Sequence, residues 1–239
     1  MSCILHIETS TDVCSVALSQ DGMCLFEQTC SEGPSHAAVL AGYIDEALSF
    51  ADSHAIPLDA VAVSKGPGSY TGLRIGVSAA KGVTYGRDAR LIAIDSLKII
   101  TVPTLLHAPD IPENALLVPM IDARRMEVYC AVYNRALHEE APIQALVVDE
   151  TTFLPWLNQG PVFFMGNGAA KCQEVICHPN AHFISDARPL ARNMIPLAEM
   201  AIARNEFVDV AYFEPFYLKE FVAIKSKPKG IEMPKRNGK

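Results

Sequence analysis

Three clusters in this chain have residue types and spacings on which chemistry can be built. The first is Glu8-Thr9-Ser10-Thr11-Asp12, a run of carboxylates and hydroxyls between two short apolar stretches. Its hydroxyls and N–H groups can bind a phosphate, or they can close the turn through side-chain bonds to its own backbone. The second is Lys65 to Gly86, reading K-G-P-G-S-Y-T-G-L-R-I-G-V-S-A-A-K-G-V-T-Y-G. A glycine-rich turn that opens a helix can present N–H groups to an anion. This one, however, matches neither the P-loop pattern G-x-x-x-x-G-K-[ST] nor the dinucleotide pattern G-x-G-x-x-G. The third is His36. A zinc site there would need a second histidine or a carboxylate one helical turn on, and Leu40 stands at that position. His6, His54, His107, His138, His178 and His182 lie at unrelated spacings, which argues against a metal site and against a catalytic one built on it.

These clusters must be positioned by ordinary elements, and the hydrophobic pattern predicts them. Cys3 to Ile7, Cys14 to Leu18 and Met23 to Cys30 read as an antiparallel meander turning at Asp21-Gly22. After Gly33-Pro34, Ser35 can cap a helix whose Leu40, Ile44, Ala47, Leu48 and Ala51 form an apolar stripe. A strand at Asp59 to Ser64 leads through Gly66-Pro67-Gly68 into a helix from about Gly72 to Tyr85, capped by Ser69 or Thr71. On that helix Gly72, Gly76 and Ala80 share one side, with Leu73 and Val77 beside them. A glycine in a helix interior costs about 1 kcal/mol relative to alanine. Two on one stripe therefore imply close approach of another segment: a neighbour in the same domain, an anion, or a second subunit. A strand at Arg90 to Ile94 completes the order β-β-β-α-β-α-β, which then repeats loosely, with strands at Leu116 to Ile121, Glu127 to Tyr133, Gln144 to Val148, Pro161 to Met165 and Ala181 to Ile184. Helices are expected near Thr151 to Leu157, Ala169 to Ile176 and Arg192 to Arg204, and a boundary near Thr101 to Pro112. The repeat predicts two similar mixed α/β domains, 1–104 and 105–218, followed by a basic tail, 219–239.

Composition narrows the class. Half of the 239 residues are hydrophobic and a fifth are charged, as in a folded soluble protein, and neither a membrane span nor a signal peptide is read from the chain. The seven cysteines are odd in number and form no C-x-x-C pair, which points to reduced thiols in a cytoplasm. The net charge of −7 divides unevenly. Residues 219–239 hold seven Lys/Arg against two Glu, or +5, leaving −12 on the rest. Such a body is a poor nucleic-acid binder by itself, and the tail is either solvated or a phosphate contact.

Four segments together resemble the TsaB (YeaZ) family. They are I-L-H-I-E-T-S-T followed by C-S-V-A-L (Ile4 to Thr11, Cys14 to Leu18), Ser35-His36 at a helix start, G-P-G-S-Y-T-G-L-R-I-G-V-S-A-A-K-G (Gly66 to Gly82), and I-D-A-R-R-M-E-V-Y (Ile121 to Tyr129). The ending Pro215-Phe216-Tyr217-Leu218-Lys219 is similar to the family's P-x-Y-L-R with Lys for Arg. The resemblance implies the duplicated actin/Hsp70/sugar-kinase (ASKHA, ribonuclease-H-like) α/β fold. It also implies a noncatalytic cytoplasmic partner of TsaD, the enzyme that forms N6-threonylcarbamoyladenosine at position 37 of tRNAs reading codons that begin with A. The further implied partners are the ATPase TsaE, a second copy of the chain when TsaD is absent, and tRNA within the assembled complex. No cofactor of its own is implied, with ATP or ADP placed at the TsaD interface.

In this family docking is carried by the two first-domain helices. The expected interface is therefore Leu40, Ile44 and Leu48 on the first, with Gly72, Leu73, Gly76, Val77 and Ala80 on the second. Thr9, Ser10 and Thr11 are the expected remnant of a nucleotide contact. An ATP-dependent phosphotransferase of the same fold is the alternative reading, and a metallopeptidase a third.

Overall fold

The computed structural model describes residues 2–31, 36–107 and 110–218. Strands β1 (Cys3–Glu8), β2 (Cys14–Gln20) and β3 (Met23–Cys30) form an antiparallel meander. Helix α1 (His36–Ser53), strand β4 (Ala60–Gly66), helix α2 (Tyr70–Arg87) and strand β5 (Arg90–Asp95) follow, with β4 parallel to β1 and β5 parallel to β4. The sheet order is β3-β2-β1-β4-β5.

The second half repeats this plan. It comprises α3 (Ser96–His107), β6 (Leu116–Asp122), β7 (Glu127–Tyr133), β8 (Glu139–Val147), α4 (Leu154–Leu157), β9 (Val162–Met165), α5 (Ala169–Cys172) and β10 (Ala181–Ile184). Its sheet, taken from the β8 edge, runs β8-β7-β6-β9-β10, with β6, β7 and β8 antiparallel and β9 and β10 parallel. A three-stranded meander extended by two parallel crossover strands, made twice, is the duplicated ASKHA architecture.

The alternation of side chains along β1 and β4 explains why both read as continuous apolar runs. Leu5, Ile7, Val61 and Val63 face the side covered by α1 and α2, while Ile4, Ala60 and Ala62 face the other. A central parallel strand is buried on both sides, so both sets must be apolar. The second cover comes from far along the chain: a 3-10 turn (Ala191–Met194) and α6 (Ile195–Ala203), whose Met194, Ala198 and Ala201 pack on Ile4, Ala62 and Ile92. The expected division at 105–218 is corrected by this packing. Residues 191–216 return to the first sheet, because the outer side of β1 and β4 is too apolar to be left to water.

The expected boundary at Thr101 to Pro112 is instead largely helix. Helix α3 contains Pro103, which removes one helical hydrogen bond at a cost of about 3 kcal/mol. Burial of Leu97, Ile99, Ile100 and Val102 outweighs this, each side chain contributing roughly 1.5–3 kcal/mol. Leu97 and Ile100 meet the second sheet and Ile99 the first, so α3 is a joint between the halves.

Beyond α6 the chain crosses the β5 edge. The Val208 N–H donates to the Leu91 carbonyl at 2.9 Å, and Val208, Val210 and Phe213 join the core beneath α2. This strap ends where the Phe216 N–H donates to the Lys65 carbonyl at 2.7 Å. The expected Ser35 cap and the basic tail, 219–239, lie outside the described residues. Among the described residues no helix is long and apolar enough to cross a membrane.

Candidate functional site

Helices α1 and α2 lie side by side on one face of the first sheet. Ser69 is the cap of α2, its Oγ accepting from the Gly72 N–H at 3.3 Å. The turn between β1 and β2 then passes directly over the helix start. Thr9 Oγ1 donates to the Gly72 carbonyl at 2.8 Å, and the Ser69 N–H donates to the Ser10 carbonyl at 2.7 Å. A methyl group on Gly72 would overlap the Thr9 carbonyl oxygen, and one on Gly76 would overlap Thr9 Oγ1. The glycine stripe does serve close approach, but of the chain's own turn.

This corrects the expected interface. Leu40, Ile44, Gly72, Leu73, Gly76, Val77 and Ala80 are all buried within the first domain, and Leu48 is half-buried against the same core. They are inward because β1, β2 and β4 present an apolar surface that the two helices must cover.

The outward side of the pair is a different stripe. Ala37, Ala41, Arg74, Ile75, Ser78 and Ala79 line an open, predominantly apolar groove along the helix junction, and Leu40, alone of the expected set, also borders it. Gly82 and Gly86 continue the α2 line from Ala79 at steps of three and four residues, and a Cβ on either, or on Gly42 of α1, would meet only open space. The signal was present in the sequence, since α2 carries two small-residue stripes offset by about one position. Periodicity cannot say which of two such stripes faces water.

Thr9 and Ser10 are fully buried and Thr11 nearly so. Thr9 and Thr11 hydroxyls are engaged within the fold, the latter accepting from the Val13 N–H at 3.3 Å. Thr11 alone of the three reaches the polar cleft between the halves, which is also lined by Asp12, Ser31, Asn167 and Arg188. The structure therefore does not bring the three hydroxyls together as a phosphate cradle. His36 is likewise committed to the turn: its Nε2 donates to the Thr11 carbonyl at 2.6 Å, and Leu40, one turn on, faces the core.

Glu8 closes the floor of this turn. It is wholly buried, accepts from the Ser10 N–H at 2.5 Å, and loss of water pushes its carboxyl up to about 7 despite the bonds from Ser10, Ser64 and Thr9. The second half uses the same device, with Gly166-Asn167-Gly168 after β9 pressed against the end of β6. The Gly168 N–H donates to the Met120 carbonyl at 3.0 Å, and Lys171 ties the β6–β7 hairpin through Asp122, Arg125 and Glu127.

The repeated sheet order and the paired glycine turns define a duplicated α/β protein of the actin and sugar-kinase class, with an open helix pair on its first domain. Comparison with known proteins narrows this class. Residues 32–224 match the family model described as TsaD: tRNA N6-adenosine threonylcarbamoyltransferase. The tRNA threonylcarbamoyladenosine biosynthesis protein TsaB of Escherichia coli is 29% identical over 94% of this chain and 98% of its own length. That of Bacillus subtilis is 29% identical over 72% of this chain and 74% of its own. The solved structure of YeaZ from Pseudomonas aeruginosa superposes with a TM-score of 0.75 at 27% identity, covering 91% of this chain and all of that one. The chain belongs to the TsaB (YeaZ) family, within the wider TsaD family.

Proposed function

We propose that this protein takes part in forming N6-threonylcarbamoyladenosine at position 37 of tRNA as a noncatalytic subunit that docks a TsaD-type transferase. The observation that carries this reading is the match to TsaB over nearly the whole of both chains. Two features of the molecule support it. The groove between α1 and α2 is lined by small and apolar side chains, so a paralogous helix pair can approach its backbone closely across a quasi-symmetric interface. The His36 ring and the Thr9 and Thr11 hydroxyls are held by the fold, which leaves them little freedom to bind a metal or a phosphate. In this reading any ATP or ADP sits at the junction with the transferase, the ATPase TsaE joins the complex, and tRNA is met within the assembly. Without the transferase the same groove pairs with a second copy of the chain.

The test is reconstitution with the TsaD and TsaE proteins of the same organism, threonylcarbamoyl-adenylate and substrate tRNA. Modification should require this chain but never arise from it alone, and the Gly82→Leu variant should lose both TsaD binding and stimulation while staying folded. Turnover by the isolated chain, or full activity of the other components without it, would overturn the proposal.

A further inference from the structure

The meander of the first sheet carries a cysteine pair that the docking face does not use. Cys14 opens β2, Cys30 closes β3, and the antiparallel register sets them directly opposite one another. Directly opposed residues of such a pair have Cα atoms about 4.5–5.5 Å apart and side chains on the same face. A disulfide spans roughly 4.4–6.8 Å between Cα atoms, so the backbone needs no rearrangement to accept one here. Both sulfurs lie beneath α1. Cys14 is buried in the core with Leu40, Ile44 and Ala47, and the Tyr43 side chain is hydrogen-bonded to the Cys30 thiol with Cys14 close by. Cys30 is half-buried, so a small dissolved molecule can reach it.

The other strand cysteines face different partners: Cys3 opposes Gln20, Cys24 opposes Ser19, and Cys130 opposes Met120 and Gln144. Cys130 does have Cys172 of α5 as a neighbour, but both are fully buried. Among the described cysteines, 14 and 30 alone join an opposed cross-strand register to an accessible member.

We propose that Cys14 and Cys30 are a covalent modification site, closing to a reversible cross-strand disulfide when a peroxide reaches Cys30. Cys30 gives up its proton and its thiolate attacks one peroxide oxygen; the O–O bond breaks, Cys30 becomes a sulfenic acid, and the departing hydroxide takes up that proton as water. The Cys14 sulfur, giving up its proton, then attacks the Cys30 sulfur. The S–O bond breaks and hydroxide departs, taking up the proton as a second water. The two thiols are oxidised by two electrons and one hydrogen peroxide is reduced to two waters; a dithiol reverses the bridge. Burial pushes the Cys14 thiol up to about 11, so the first attack on the peroxide falls to the accessible Cys30. The bridge closes the β2–β3 hairpin at its open end and takes the Cys30 thiol hydrogen from beside Tyr43, on the helix that carries half of the groove.

The experiment uses the full chain with the exposed thiols removed, C24S/C177S. It is treated with a small molar excess of hydrogen peroxide, digested without reductant and mapped by mass spectrometry. The expected result is one linked pair of peptides carrying Cys14 and Cys30, lighter by two hydrogens, abolished by dithiothreitol, with a raised melting temperature before digestion. Adding Cys14→Ser should leave a sulfenic acid on Cys30 that dimedone traps. Linkage of Cys130 to Cys172, over-oxidation of Cys30 without linkage, or an unchanged mass in the C24S/C177S protein would each overturn the proposal. None of these readouts depends on TsaD, so their failure would leave the docking role standing.

Discussion

Two buried ionisable side chains two residues apart on β1 oppose one another in their effect on stability. Glu8 holds its proton up to about pH 7 when folded, against an ordinary value near 4.5. Between pH 4.5 and 7 the unfolded chain sheds that proton and the folded chain keeps it, so stability falls as pH rises through this window. His6 is the reverse. Burial lowers its ring to about 3 from an ordinary 6.5, so its contribution is present above pH 6.5 and is lost as pH falls towards 3. The windows overlap from 4.5 to 6.5, where the two slopes cancel and the melting temperature of the natural chain should be nearly flat. Glu8→Gln should expose the histidine slope, with the melting temperature rising with pH. His6→Gln, which can keep a bond to Ser19 Oγ, should expose the opposite slope. Each slope is on the order of 1 kcal/mol per pH unit. Thermal melts of the three proteins from pH 4.5 to 7 check this, and two variants with parallel profiles would refute it.

At the scale of elements, α2 has an inner and an outer glycine line with different consequences. Gly76→Leu drives a side chain into Thr9 and should destabilise the free protein by about 3 kcal/mol or more, in the upper range for overpacking. Gly82→Leu meets open space and should stabilise the helix by about 0.5–1 kcal/mol while abolishing docking. Chemical denaturation of the free chains, paired with TsaD titrations by calorimetry, separates the two lines. The strap is the second element with a testable load. Phe213 is partly buried against the core beneath α2, so Phe213→Ala should cost about 1–3 kcal/mol, below the range for a fully buried ring, and free the β5 edge. Hydrogen exchange at Leu91 and Val208 should rise with it; unchanged exchange would show that the strap is held elsewhere. The helices themselves were legible in the sequence because an amphipathic period needs no partner to be read. The direction of α2's glycines was not, because it depends on a turn some sixty residues earlier in the chain.

For the whole molecule, the proposed role in tRNA modification makes charge the quantity to test. A body at −12 repels a polyanion, and residues 219–239 carry +5, so tRNA affinity of the assembled complex should draw on those lysines and arginines. Removing residues 227–239 should weaken tRNA binding and make it less sensitive to salt, the slope falling by up to about 0.9 for each phosphate that the tail had neutralised. Equal affinities and slopes for the two complexes would free the tail of this role. The sequence by itself determined the duplicated meander-and-crossover plan, the turns at Gly66 and Gly166, and the family, because each is written in local periodicity, backbone-permissive residues and contiguous motifs. Tertiary structure alone decided three things: that Gly72 and Gly76 face Thr9, that α3 joins the halves in spite of Pro103, and that 191–216 return to the first sheet. Each turns on which of several apolar surfaces, distant in the chain, are buried against one another, and hydrophobic burial is non-directional, so a one-dimensional pattern records that a face must be covered but not by what.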